Sequence, residues 1–261
     1  MRRDKDRDSP DTDLADAGGK IRLFIEAPLA AGTKLTPSEA QAHYLLHVMR
    51  SREGDHVLLF NGMDGEWRAR IAAVTRRSCT LLCETQSEAQ AEVPDLWLAF
   101  APIKKTPADY LAQKATELGA KLLQPVITNR TEARRVNLGR MRANAIEAAE
   151  QSGRLSVPEI REPAALNALL RSWPSGRRLL FCDEGGDAVP IAKALDDAGR
   201  QAQWGILTGP EGGFDPQERE GIRQCTFVLP VTLGPRIMRA DTAALAALSV
   251  WQAICGDWPA L

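Results

Sequence analysis

The chain has 261 residues, with 33 Lys and Arg against 34 Asp and Glu and a formal net charge of -1. That balance excludes a globally basic nucleic-acid coat protein and a polyanionic tail, and 44% apolar with 26% charged residues is a globular composition, long enough for one large domain or two smaller ones. No run approaches the roughly 20 apolar residues of a membrane helix, no signal-peptide stretch opens the chain, and five scattered cysteines fit a reducing compartment, so a cytoplasmic protein without membrane contact is expected.

Residues 1–20 carry six Asp and five Lys or Arg but only Met1 and Leu14 as large apolar side chains, which predicts a disordered tail. Residues 21–90 read as a small β-rich barrel. Its strand signals are IRLFIEA, HVLLF, RARIAAV and CTLLCE; the turn Asn61-Gly62-Met63-Asp64-Gly65 joins two of them, and one helix, SEAQAHYLLHVMR, follows Thr36-Pro37. Around residues 86–94 the composition shifts, and from 91 to 261 strand-length apolar runs alternate with amphipathic helical stretches. The strands are DLWLAFA, KLLQPVIT, RRLLFCDE, QWGILTG and TFVLPV. Five buried-type strands separated by helices predict a parallel sheet covered on both faces, an α/β domain.

Two loops in this second region carry chemistry. Trp204 to Phe214 runs from a strand into Thr-Gly-Pro-Glu-Gly-Gly, and ligands in open α/β sheets bind beyond the carboxyl ends of strands, where small residues admit close backbone approach. This loop has neither the spaced glycines of a dinucleotide fingerprint nor the Lys-Ser or Lys-Thr of a phosphate loop, and Glu211 disfavours phosphate while tolerating a cationic or neutral ligand. Asp215, Pro216 and Glu218 then form a complete helix start. The second loop, Leu233-Gly234-Pro235 with Arg236 and Arg239, leads into a helix over Thr242–Cys255, capped by Asp241 or Thr242 and apolar almost all round, which predicts burial on several sides, including against a second copy. His43, His47, Cys79 and Cys83 do not make a zinc site, because four residues along a strand span roughly 13 Å, and no metal is expected.

LTGPEGGFDPQE followed by LGPRIMRADTAALAAL resembles the signature pair of the RsmE-type ribosomal RNA methyltransferases of the SPOUT class, enzymes that methylate N3 of a uridine in small-subunit (16S) ribosomal RNA. Upstream, AHYLLHVMRSREGDHVLLFNG, LAQKATELGA and EAAEQSGRLSVPEI resemble further blocks of that family in order. The resemblance implies a PUA-like RNA-binding barrel, a catalytic domain whose C-terminal segment makes a trefoil knot, and a homodimer that acts on 16S ribosomal RNA or the small ribosomal subunit. The knot comes from the resemblance alone, since chain connections are otherwise un-knotted.

It further implies S-adenosylmethionine as cofactor, held by Leu207, Thr208, Gly209, Gly212, Gly213, Leu229, Leu233, Gly234, Ile237 and Met238. Glu211 suits that ligand, whose sulfonium is a cation without phosphates. Arg236 and Arg239 would stabilise charge on the uracil oxygens, and Asp241 is the nearest base, although the family usually has Glu there. Arg22, Arg50 and Arg52, with Arg68 and Arg70, are candidate RNA contacts in the barrel. Lys104, Arg154 and the basic stretch Arg130, Arg134, Arg135, Arg140 and Arg142 are candidates in the second domain. Two alternatives stay open at this point: a SPOUT methyltransferase with another RNA target, and a non-enzymatic RNA-binding scaffold. A nicotinamide-dependent oxidoreductase lacks its fingerprint.

Overall fold

The structure, a computed structural model, describes residues 21–103, 106–133, 135–183, 187–199 and 203–260; the expected tail, Lys104 and Arg134 lie outside them. The chain divides into two compact units between Ala89 and Gln90.

In the first unit the alternation of apolar residues makes strands β1 (Arg22–Phe24), β2 (Lys34–Leu35), β3 (His56–Phe60), β4 (Glu66–Val74) and β5 (Cys79–Glu88). Every second side chain turns inward, so Leu23, Val57, Leu59, Ala69, Ile71, Cys79, Leu81 and Cys83 share one core. The ladder runs β1-β3-β4-β5-β2, parallel between β1 and β3 and otherwise antiparallel. Three register shifts bend the long β4–β5 pair. Among the described residues no ladder joins β1 to β2, so hydrogen bonding does not close the expected barrel.

The expected helix is split. α1 (Glu39–His43) starts at Ser38, which forms a capping box with Gln41, and passes into a π-helical turn, Tyr44–Val48. Arg50 ends it with φ +57°, a left-handed conformation that a non-glycine residue seldom adopts. In the turn between β3 and β4, Asn61 Oδ1 accepts the amides of Met63 and Asp64, at 2.9 and 2.8 Å. The Asp64 carboxylate accepts from Leu29 N and Asn61 Nδ2, which lowers its pKa below the ordinary value.

In the second unit the five expected strands are β6 (Leu96–Phe100), β7 (Leu122–Ile127), β10 (Arg177–Cys182), β12 (Gln203–Thr208) and β13 (Val228–Thr232). Two-residue strands β8 (Glu159–Ile160), β9 (Ala164–Ala165) and β11 (Val189–Pro190) were too short to signal themselves. All pair parallel, in the order β11-β13-β10-β12-β6-β7-β8, with β9 beside β7.

The helices are α2 (Thr106–Glu117), α3 (Leu138–Ser152), α4 (Leu166–Arg171), α5 (Ile191–Ala198), α6 (Pro216–Arg223) and α7 (Ala240–Ile254). Leu98, Leu180, Trp204 and Ile206 pack on one face with residues of α2, α3, α5 and α7, while Ala99, Leu179, Phe181 and Leu207 pack on the other with residues of α4 and α6. Burial on both faces is why these strands read as continuous apolar runs. α7 begins at Ala240, two residues earlier than expected, and neither Asp241 nor Thr242 caps it; the N-cap is Arg239, without a side-chain bond. The buried stripe of α7 ends in Gln252, which donates to Leu118 O at 2.7 Å and so satisfies a polar group within an apolar helix.

Candidate functional site

The two glycine loops leave the carboxyl ends of β12 and β13, the strands on either side of β10. The first is closely braced. Leu207 and Thr208 are buried as the last residues of β12; the Leu207 side chain belongs to the core, and Thr208 O accepts the amide of Ala101 at 3.1 Å. Gly209 has no alternative there, because a Cβ would lie 2.7 Å from the Phe214 ring, which packs edge-on against Phe181. Gly213 takes φ +66° and its amide closes a turn onto Pro210 O at 2.9 Å.

The same loop is tied to the segment after β7. Glu218 Oε2 accepts from Asp215 N in a capping box, and its Oε1 accepts from Asn129 N at 2.8 Å. From the other side Arg130 Nη1 donates to Gly212 O at 3.0 Å. Thr128 and Thr131, both buried, hold that segment in shape through their hydroxyls, 2.9 Å apart. Glu211 is exposed at the tip.

α6, which follows the first loop, is anchored by charge. Asp183, buried at the end of β10, accepts from Arg219 Nε at 2.7 Å and from Arg223 Nη1, and Arg223 also reaches Asp187. Hydrogen bonding to Asp183 raises the pKa of both guanidiniums, so they stay charged.

The second loop is loose. Gly234, at φ +118°, exchanges hydrogen bonds with the Thr232 hydroxyl, its amide donating at 3.2 Å. Pro235, Arg236 and Arg239 are exposed and Ile237 is 85% exposed, while Leu229, Leu233 and Met238 are half-buried. Ile237 therefore forms no wall within one chain. Among the described residues, neither Arg236 nor Arg239 has an ion-pair partner, which leaves both cations available. Asp241 Oδ1 accepts from Thr242 N at 2.8 Å.

The candidate RNA contacts separate sharply. The Arg22 side chain is only 10% exposed, paired with Glu66 at 2.7 Å and lying over the Phe60 ring. Arg154 donates to Thr116 O and Ala120 O, and burial lowers its pKa to about 10. Both guanidiniums are spent inside the fold, contrary to the expectation that they face RNA. Arg70 pairs with Glu84 and Arg140 with Asp109. Arg50, Arg52 and Arg135 are exposed. Among the described residues no group of His, Cys, Asp or Glu is placed to hold a metal ion, and no helix is long and apolar enough to cross a membrane.

Sequence reasoning missed three things here: the Asn129–Glu218 tie, the Arg130–Gly212 tie and the Asp183 anchor. Only the i, i+4 spacing of Arg219 and Arg223 hinted at the last.

Family models divide the chain as the structure does: an RNA methyltransferase PUA domain matches residues 37–82 and an RNA methyltransferase domain matches residues 90–252. Fold and loops together define an RNA methyltransferase built from a small β unit and a larger α/β unit. The chain is 30% identical to the ribosomal RNA small subunit methyltransferase E of Rickettsia conorii, over 87% of this chain and 93% of that protein. It is 33% identical to the protein of that name from Synechocystis, over 87% of this chain and 76% of the relative. The crystal structure of the Neisseria gonorrhoeae ribosomal RNA small subunit methyltransferase E bound to S-adenosyl methionine superposes with a TM-score of 0.82 at 27% identity, covering 92% of this chain and 99% of that one. The chain belongs to the ribosomal RNA small subunit methyltransferase E family.

Proposed function

We infer that this protein transfers a methyl group from S-adenosylmethionine to N3 of a uridine in the 16S RNA of the small ribosomal subunit, acting in the cytoplasm where that RNA is assembled. The observation that carries the reading is the pair of glycine loops at the carboxyl ends of β12 and β13, in a chain of this family.

The loops fit the cofactor. The Cβ positions of Gly213 and Gly234 face open space, so no neighbouring side chain covers the loop backbone at these two glycines. No lysine sits in either loop, and Glu211 suits a positively charged sulfonium. Thr208 to Gly213 and Leu229 to Met238 would hold it, with Leu229, Leu233 and Met238 as apolar surface. Bound there, the cofactor supplies an electrophilic methyl group.

The chain must handle the proton and charge of the uracil. Arg236 and Arg239, exposed and unpaired among the described residues, stabilise negative charge on the two carbonyl oxygens as the N3 proton leaves. Asp241 is the carboxylate this loop offers as acceptor; Thr242 engages its Oδ1 and steadies it at the start of α7. The first unit positions the RNA, with Arg50 and Arg52 as phosphate contacts.

Two further elements belong to this reading. A trefoil knot is compatible with the sheet order, in which β13 lies between β10 and β11 although those two strands are near neighbours in sequence. A homodimer is supported by α7, whose Leu245, Val250 and Ile254 are only half covered within one chain, and by the exposed Ile237 and Trp258.

The test is methylation of small-subunit RNA lacking the modification, followed by mass mapping of nuclease fragments. A methyl group on uridine N3 is expected; no incorporation, or methyl on another base, overturns the reading.

A further inference from the structure

One face of the helical segment in the first unit has no cover within its own unit. Ala42 and Leu45 turn into the core of that unit, and Leu46 packs beside them. His43, Tyr44, His47, Val48, Met49 and Arg50 are left exposed, with Tyr44, Val48 and Met49 at 37, 57 and 42%. Single apolar side chains on a surface need no partner, whereas a group of them marks a place where something binds.

The backbone departs twice from ordinary geometry in the same place. The turn Tyr44–Val48 is π-helical, with Met49 N donating to Tyr44 O at 2.9 Å. Ser51 N then reaches back to Leu45 O at 2.9 Å, across Arg50 at φ +57°. That bond closes the type of helix end in which glycine normally takes the left-handed position, so an arginine there is strained and a glycine would relieve it. π-helical turns and strained residues of this kind gather at functional sites.

The chemistry of the face selects its occupant. The His43 and His47 rings lie 5.0 Å apart, and Tyr44 adds a larger flat ring beside them in the chain. Arg50 and Arg52 are exposed, and among the described residues neither has an ion-pair partner. Of the carboxylates nearest in the chain, Asp55 accepts the Arg52 amide at 2.7 Å, while Glu39 lies at the start of α1 and Glu53 in the turn beyond. Aromatic rings next to guanidiniums match a single nucleic-acid strand, which offers stackable bases and evenly spaced phosphates. A duplex keeps its bases stacked inside and offers such a face no ring to stack on.

We propose that this face binds an unpaired stretch of the small-subunit RNA, with one base stacked on Tyr44 against Val48 and Met49 and with Arg50 and Arg52 on the flanking phosphates. The proposal rests on the RNA-substrate reading above and extends it by giving the first unit a stacking platform specific for single strands. Tyr44 is a positioning residue here, since it holds RNA and takes no part in methyl transfer. Arg50 keeps its strained conformation because the guanidinium, which glycine lacks, is needed beside the platform.

The experiment compares wild type with Tyr44→Leu, which keeps apolar bulk but loses the ring face, Tyr44→Phe, which keeps the ring, and Arg50→Gly. The probes are small-subunit RNA lacking the modification, free and in assembled subunits, and a ten-nucleotide oligouridylate, single-stranded or paired with oligoadenylate. Tyr44→Leu should weaken binding of free RNA and of the single-stranded oligouridylate about tenfold and act on KM rather than kcat, with Tyr44→Phe restoring wild-type behaviour. Arg50→Gly should also weaken RNA binding and lower its salt slope by about one, while the thermal midpoint holds or rises because the strain is gone. The single-stranded oligouridylate should compete for the face and its duplex should not.

RNA affinity within about twofold of wild type in Tyr44→Leu overturns the proposal, as does equal loss in Tyr44→Phe or equal competition by the duplex. A Tyr44→Leu defect confined to assembled subunits, with free RNA bound normally, gives the face to a protein partner and overturns it too. A wild-type protein whose RNA binding depends on Tyr44 and Arg50 but which methylates no uridine would fell the functional reading and uphold the platform.

Discussion

The two glycine loops leave the same end of one sheet, yet they are built to different tolerances. The first, from Gly209 to Asp215, is held by Phe214 packing, by the Asp215–Glu218 capping box and by ties from Asn129 and Arg130. The second, from Leu233 to Arg239, has one internal Thr232–Gly234 exchange and leads into a helix without a side-chain cap. Ordering the first loop is part of folding, whereas few bonds within the chain hold the second. A closely braced loop is thereby paired with a sparsely bonded one that carries Arg236 and Arg239 and leads to Asp241 in the first turn of α7.

The largest expected effect lies on the second loop. Arg239→Ala should reduce methyl transfer by about a hundredfold or more while the thermal midpoint stays that of the wild type, because an exposed unpaired cation contributes to the transition state and not to the fold. Near-wild-type turnover in that variant would remove Arg239 from the reaction.

Cutting the brace should do the reverse. Glu218→Ala leaves Asn129 N and Asp215 N without their acceptor and should cost about 1–2 kcal/mol of stability, with weakened cofactor affinity and a smaller change in kcat. Unchanged affinity would mean that the first loop keeps its shape without the tie.

Hydrogen exchange then compares the two loops directly. Amides from Gly209 to Asp215 should be protected before cofactor is added; those from Leu233 to Arg239 should exchange freely and slow on binding. Equal protection in the apo protein would erase the distinction.

A third glycine turn, Asn61 to Gly65, supplies a small control, since its brace is a titrating carboxylate. The Asp64 pKa is lowered, chiefly by the Leu29 amide, so its contribution is present above the ordinary value of 3.8 and is lost as pH falls through the folded value. Acid should loosen this turn, and Asp64→Asn should abolish that part of the pH dependence, as followed by exchange at Met63 and Asp64.

Much of this architecture was legible in the chain. The five long strands of the α/β unit announced themselves as apolar runs because both faces of a parallel sheet are covered, and Asp215-Pro216 with Glu218 marked the start of α6 because capping is local chemistry. Strands of two residues carried no period to detect. The start of α7 was misplaced because Asp241 and Thr242 have cap-forming side chains, whereas the loop geometry sets the boundary at Arg239.

Charge was legible only as a total. The sequence places Arg22, Arg50, Arg52, Arg135 and Arg154 on equal footing, since each guanidinium carries the same charge and donors. Only the fold decides that Arg22 is consumed by Glu66 and Arg154 by two backbone carbonyls, while Arg50, Arg52 and Arg135 remain exposed. The sequence by itself determined the strands, the two loops and the family they belong to, because those depend on residues close together in the chain. Which cations stay available and which loop is closely braced were decided by tertiary structure, because each depends on partners distant in the chain, such as Arg22–Glu66, 44 residues apart, and Asn129–Glu218, 89 apart, whose meeting no local pattern encodes.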